Sequence, residues 1–393
     1  MAVPIGAIAV SARSLAPDLA RGAMLLLIAL ANAHIYLYGH PVGVRGYPIP
    51  ESTGDQVVVL LQMIFVDGRA YPMFAFLFGY GIVQLVRRHA SKGVDEVTVR
   101  NLVRRRGAWM VLFGFLHALL LFSGDIIGAY GLLAVLLAGL LIRASDRKLL
   151  VMVGLWTVPT AAFGALMALP QPEGSESILP SMSITDPLSA AVWRVGEWVA
   201  LTLTLLLILL PALLLGVWAA RRRLLDEPER HQRLLKLVAV LGIGLAAIGG
   251  LPLALMAAAW WEEPSTVALA VAGAVHSLNG YAGGLGYAAI AGLIAIRVQK
   301  RDRPDPVVTA LAACGQRSMT CYLLQSVVFV AVLASYGGGL GDRLSLAATA
   351  VLATATWTLT VLLAHQMARR NYRGPAELLL RHLTYRRPPL ARP

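Results

Sequence analysis

The residues of this sequence best able to do chemistry are ionisable and amide side chains set into apolar runs. His117 stands in Phe113-Gly114-Phe115-Leu116-His117-Ala118-Leu119-Leu120-Leu121-Phe122, and Asp125 follows in the turn Ser123-Gly124-Asp125. A histidine gains and loses a proton near neutral pH, and a neighbouring carboxylate orients the ring and stabilises its protonated form. Asn32 and His34 end the first apolar run, Asp67 and Arg69 lie in Asp67-Gly68-Arg69-Ala70-Tyr71-Pro72, and His276 and Asn279 sit early in another run. Each has a plainer reading beside the chemical one. Asp67 and Arg69 form a local ion pair at a helix start, Asp125 caps a helix, His34 is a solvated residue near an interface, and His117 is a neutral histidine bonded to a neighbouring helix. Asp18 and Arg21 share one helical face, as a structural pair at a helix N-terminus also would.

The elements that must position these groups are transmembrane helices. The 393 residues are 58% hydrophobic and only 14% charged, with a mean hydropathy of +0.68. That charge fraction is well below the roughly 25% of soluble domains. Apolar stretches near the length that crosses a bilayer fall at residues 19–38, 71–86, 108–122, 126–142, 149–169, 198–220, 237–260, 267–296, 319–336 and 344–365. The expectation is an all-α polytopic bundle of about ten spans, forming one integral membrane domain over 1–393. The eighth stretch is too long for one straight span, so its first part is placed at the outer surface. The apolar segment 57–66 reads as an outer-surface helix or a half-membrane segment.

Of the 34 Lys and Arg residues, all but Arg45, Arg69, Arg194 and Arg343 fall on alternate loops or the termini. The positive-inside rule then places both termini in the cytoplasm, with 1–18 a cytoplasmic N-terminus and 366–393 a basic tail ending in Tyr385-Arg386-Arg387-Pro388-Pro389. The net charge of +13 therefore reports topology rather than a nucleic-acid partner. Met1 to Ala12 lacks the basic start of a cleaved signal peptide. Cys314 and Cys321 read as buried small residues. With this topology, Asn32, His34, Asp67, Arg69, His117, Asp125, His276 and Asn279 share one depth. Ionisable groups inside a membrane are costly and functional by default, so a polar cavity opening outward is expected.

Several blocks resemble the YeiB-like bacterial membrane proteins, the domain of unknown function 418 family. They are Asp18-Leu19-Ala20-Arg21-Gly22-Ala23-Met24, Phe74-Ala75-Phe76-Leu77-Phe78-Gly79-Tyr80-Gly81, the His117 run with Ser123-Gly124-Asp125-Ile126 and Tyr130-Gly131-Leu132-Leu133, Gln316-Arg317-Ser318-Met319-Thr320-Cys321-Tyr322-Leu323-Leu324-Gln325-Ser326, and Gly374-Pro375-Ala376-Glu377 with Leu383-Thr384-Tyr385. The family is distantly similar to transmembrane acyltransferases such as heparan-α-glucosaminide N-acetyltransferase. Those relatives move an acyl group from cytosolic acyl-CoA to an acceptor on the far side, using a histidine. Related acyltransferases carry that histidine late in span 1. The corresponding position here is Asn32, with His34 two residues on and hence on another helix face, which makes His117 the preferred base.

The resemblance implies acyl transfer to an extracytoplasmic glycan or lipid at a bacterial inner membrane, with acyl-CoA as donor. His117 accepts the acceptor's proton, Asp125 orients it, and Asn32 and Arg69 are candidate oxyanion donors. Asp67, Arg69, His276, Asn279, Tyr322 and Gln325 are the expected substrate-binding residues. Asp18, Arg21, Arg104, Arg105, Arg106 and Arg317 are expected at the donor, where guanidinium groups match phosphate. Topology alone also accounts for each of those arginines. Gly280, Gly283, Gly284 and Gly286 pack helices or line a slot for a pantetheine-like arm. The expected partners are the lipid bilayer and the acceptor, with a homodimer left open; no metal site is read. The rival reading is a transporter or flippase of a lipid-linked or small polar substrate.

Overall fold

The computed structural model describes residues 14–172, 174–301 and 303–385. Arg13, the leading segment and the tail from Arg386 lie outside the described residues. The described chain is helical throughout apart from turns and one isolated β-bridge between Val42 and Pro48. In order, the helices are α1 (Leu15–Ala33), α2 (Thr53–Phe65), α3 (Ala70–Ala90), α4 (Glu96–Leu120), α5 (Ile127–Arg143), α6 (Asp146–Ala168), α7 (Pro187–Arg221), α8 (Gln232–Ala257), α9 (Thr266–Gln299), α10 (Pro306–Gln316), α11 (Ser318–Leu333), α12 (Leu346–Arg369) and α13 (Pro375–Thr384). Local chemistry sets many of their starts. Ser52, Asp95, Ser145, Asp186, Ser265, Asp305 and Ser345 each accept a first-turn backbone N–H, satisfying donors that a helix end leaves open.

Among the described residues, seven helical stretches are long and apolar enough to cross a membrane, or eight if α10 and α11, bent by 84° at Arg317, form one broken span. Each of the ten expected spans coincides with a helix. The difference in count lies in α4, whose first half carries Arg100, Arg104, Arg105 and Arg106, and in α5, which has only 17 residues. The segment 57–66 is α2, which runs through a short turn into α3. The long eighth stretch has no break between its first part and the rest. α9 is one unbroken helix of 34 residues, about 50 Å long at ~1.5 Å per residue.

The bilayer acts as solvent for the outside of this bundle. Leu155, Val158 and Leu166 on α6, Val240 and Ile248 on α8, and Val351 and Leu359 on α12 are exposed. The faces turned inward are built on small residues. A Cβ on Gly22 of α1 would lie 1.9 Å from the Leu311 carbonyl oxygen, and one on Gly315 of α10 would lie 1.8 Å from that of Asp18. The α3–α7 and α6–α9 pairs make similar approaches at Gly79 and Gly216, and at Gly164 and Gly273. Close backbone contact through small residues is how helices pack where hydrophobic exclusion from water is absent.

The loops gather into two sets at opposite ends. At the basic end, Ser14 and Arg87 bond Asp226, Arg221 bonds Asp146, and Arg317 bonds the Tyr372 carbonyl. At the other end, Val42 bonds Ser175, Tyr38 bonds Gly341, and Ala347 bonds Asp55. The alternation of basic and non-basic loops in the sequence thus corresponds to two physical ends.

Candidate functional site

His117 lies near the C-terminus of α4, facing inward and buried. Its Nδ1 is 2.9 Å from Asp125 Oδ1 and its Nε2 is 2.8 Å from Ser326 Oγ, midway along α11. With Asp125 ionised, the carboxylate only accepts, so Nδ1 carries the ring proton and Nε2 accepts from the Ser326 hydroxyl. The alternative acceptor for that hydroxyl, the Tyr322 carbonyl, is farther away at 3.5 Å. The second oxygen of Asp125 accepts the Gly128 backbone N–H at 2.6 Å. Both sequence readings of Asp125 therefore hold at once: one oxygen caps the first turn of α5 and the other orients a histidine.

The surroundings fix this chain of bonds. Arg194 of α7 donates to the Leu119 carbonyl at 3.1 and 2.9 Å and to Tyr336 Oη at 2.7 Å, closing the end of α4. Glu197 accepts from the Ser123 hydroxyl at 2.6 Å and from Ser181, pinning the turn that carries Asp125. Gly114 faces Asp125 so closely that a Cβ there would be 2.2 Å from Oδ2. Tyr36 is buried and stacks on Phe122 with ring centroids 4.9 Å apart.

A cavity of about 670 Å³ opens at the basic end and runs inward toward this set. Its mouth carries Arg87, Arg88, Arg106, Arg317, Arg373 and Arg381, and its inner end is lined by Leu25, Ile28, Ile126, Tyr130 and Tyr322. Tyr322 joins cavity and histidine: it lines the cavity, and its ring centroid is 5.0 Å from that of His117. Asp18 and Arg21, paired at 3.3 Å, also line it, and Arg21 donates to the Leu77 carbonyl at 3.0 Å. Of the expected arginine trio, Arg106 lines the cavity; Arg104 and Arg105 are exposed and are not among its lining residues. Arg317 faces it while holding the α10–α11 bend through the Ala313 and Tyr372 carbonyls. Glu377 of α13 lines the mouth and accepts from Met319 N, Thr320 N and the Thr320 hydroxyl. Burial pushes its carboxyl above the ordinary range, against the pull of those hydrogen bonds.

The expected single polar cavity at the other end is two separate sets. The second set holds Asp67 against Arg45 and His276. Arg69, fully buried, donates to His276 Nδ1 at 3.2 Å and to the Ala246 carbonyl at 2.6 Å, which leaves Nε2–H to donate to Asp67 at 3.0 Å. The Asp67 carboxylate therefore pairs with Arg45, from a Gly- and Pro-rich loop, rather than with Arg69, which meets Asp67 only at its backbone carbonyl. His34 is not a solvated residue: it is buried and stacked on Tyr47 with centroids 3.9 Å apart. Asn32 is half-buried and joins neither set by a hydrogen bond among the described residues. Asn279 packs on Gly249 of α8, and Gln325 reaches the Leu25 carbonyl at 3.4 Å. The α9 glycines are a packing seam, not a slot: Gly280 meets the Gly68 carbonyl, Gly283 and Gly284 meet Arg69, and Gly286 meets Ile243. Cys314 and Cys321 are buried and unbridged. Ser326 and Arg45 were not singled out from sequence. A search for ionisable groups passes over a serine, although Ser326 stands one helical turn beyond Tyr322.

Together these features define a multi-pass membrane helix bundle in which a buried serine–histidine–aspartate set stands just beyond the inner end of a basic-mouthed cavity. Residues 219–387 match the family described as "Protein of unknown function (DUF418)". Over 362 residues the chain is 26% identical to the Uncharacterized protein YxaH of Bacillus subtilis (strain 168), covering 85% of this chain and 83% of that protein. The expected likeness to the domain of unknown function 418 family is thus met in the C-terminal part. The matched segment contains Ser326, Arg317 and His276 but neither His117 nor Asp125.

Proposed function

We propose that this protein is an acyltransferase of the bacterial inner membrane, moving an acyl group from cytosolic acyl-CoA to a hydroxyl or amine of an extracytoplasmic glycan or lipid. The observation that carries this reading is the line from the arginine-rich mouth, along the cavity, through Tyr322 to His117. An elongated donor with phosphates at one end and a thioester at the other needs that order of chemistry: guanidinium groups at the mouth and a held base at the inner end. The reading takes α4 and α5 as spans alongside the eight stretches above, giving ten, and puts the basic end in the cytoplasm by the positive-inside rule. His117 then serves as the base for the attacking hydroxyl, with Asp125 holding its tautomer.

The test is binding of the donor to the full chain in detergent. Acetyl-CoA or palmitoyl-CoA should raise the melting temperature by selective binding to the folded state, roughly 2–3 kcal/mol at 100 times Kd. Arg106→Glu and Arg381→Glu should weaken that shift more than Arg105→Glu, because the first two line the cavity. No stabilisation by acyl-CoA of any chain length would sink the reading and favour the transporter.

A further inference from the structure

We infer that Ser326 is a nucleophile that carries the acyl group as a covalent ester between donor and acceptor. This deepens, and rests on, the acyl-transfer reading. The argument is geometric. Ser326 Oγ, His117 Nε2, His117 Nδ1 and Asp125 Oδ1 form one bonded chain with links of 2.8 and 2.9 Å, all of it buried. A hydroxyl bonded to an imidazole that is held by a carboxylate is the arrangement that activates a serine. If His117 served only to take a proton from the acceptor, its Nε2 would need to face the acceptor. Here Nε2 faces a side chain of the protein itself.

Position along α11 agrees. Met319 and Tyr322 line the cavity, and Ser326 continues their stripe at the next i, i+4 step, so swinging the Tyr322 ring aside extends the cavity to Oγ. On α1, Asp18, Arg21, Leu25 and Ile28 line the same cavity, and Asn32 continues that stripe in turn. The serine thus lies between the cavity from the basic end and the loops of the other end. A covalent carrier there solves the problem that donor and acceptor approach from opposite faces, because they need not be present together.

The steps balance. Ser326 Oγ attacks the thioester carbonyl carbon while its proton passes to His117 Nε2. The tetrahedral intermediate collapses, the C–S bond breaks, and His117 returns that proton to the sulfur, releasing CoA–SH and leaving an acyl-serine ester. The acceptor hydroxyl then attacks the ester carbonyl and gives its proton to His117. The C–Oγ bond breaks, Oγ takes the proton back, and the acylated acceptor leaves. The Tyr36 hydroxyl, buried and without a hydrogen-bond partner among the described residues, is assigned as a donor to the oxyanion of both intermediates.

The experiment incubates the full-length protein in detergent with acetyl-CoA and, separately, palmitoyl-CoA, each radiolabelled in the acyl group, without acceptor. After acid quench, label and free CoA are measured and the labelled peptide is sequenced. The expected result is near-stoichiometric label on Ser326, equal to the CoA released and removed by hydroxylamine. Ser326→Ala and His117→Ala should lose the label yet keep their thermal shift with acyl-CoA, and Ser326→Ala should lose acceptor modification by at least roughly 10³-fold. Ser326→Cys should restore a label, now as a thioester. Label on Cys314 or Cys321, or Ser326→Ala transferring at the wild-type rate, overturns the inference and leaves direct transfer to the acceptor standing. No thermal shift with either acyl-CoA overturns both.

Discussion

At the scale of single residues, the two histidine-centred sets make opposite demands. His117 has one ring nitrogen on a carboxylate and the other on a hydroxyl, an arrangement able to move a proton. His276 is wedged between Asp67 and Arg69, an arrangement that holds a loop to α9. His117→Ala should therefore abolish acceptor modification, a loss of about 10²–10⁴-fold for a positioned base, while expression and insertion stay near normal. Asp125→Asn keeps the size and one hydrogen bond but loses the charge, so it should impair activity less completely. His34→Ala removes a stacking partner of Tyr47 and should cost less activity than His117→Ala. Rates of acceptor modification for the three variants decide the ranking, and a dead His34→Ala beside an active His117→Ala would move the base to the turn that follows α1. His117 and Asp125 were legible in sequence because a charge in an apolar run is conspicuous. Ser326 was not, because a hydroxyl in a membrane helix bonds its own backbone as readily as a distant imidazole. Arg45 was hidden for another reason: a loop rich in Gly and Pro gives no periodicity from which to infer what it packs against.

At the scale of elements, the helices were legible from apolar length and the Ser and Asp caps, whereas their neighbours were not. The Gly22 and Gly315 pair shows why. Gly22 stands in a quoted motif and Gly315 immediately precedes another, yet only the folded chain shows that α1 and α10 touch there backbone to backbone. Gly22→Ala and Gly315→Ala should each lower stability by about 1–3 kcal/mol through forced overpacking. Gly139→Ala on α5, with nothing within 4 Å of a new Cβ, should cost nothing. Melting curves in one detergent check this, and equal losses at all three positions would show that the α1–α10 contact is looser than described. α13 gives a pH prediction. Burial raises the Glu377 carboxyl above its ordinary 4.5, so its contribution to stability is fully present below that value and declines as pH rises through the folded-state value. Glu377→Gln cannot titrate. The melting temperature of the wild type relative to Glu377→Gln should therefore fall between pH 4.5 and neutrality; a constant or rising difference would contradict the burial of that carboxyl.

At the scale of the whole molecule, two observations of independent origin bear on orientation. One is the distribution of Lys and Arg over alternate loops, a property of sequence alone. The other is the cavity, whose mouth the fold assembles from α1, α3, α4, α11 and α13, which no local pattern in the sequence foretells. Both select the same end of the bundle. If that end is cytoplasmic, a cysteine at Ser145, which caps α6 there, should resist impermeant reagents in intact cells, while cysteines at Ser175 and Thr266 should react. The donor should obey the same asymmetry, since a CoA thioester does not cross a bilayer unaided and the arginines that would hold its phosphates line one mouth. Radiolabelled acyl-CoA added outside sealed inverted vesicles should acylate the protein, and the same donor outside right-side-out vesicles should do so only after they are permeabilised. Acylation from the Ser175 and Thr266 side without permeabilisation would mean that the donor enters between the other loops, and the cavity would then lose its place in the mechanism even if the topology stood.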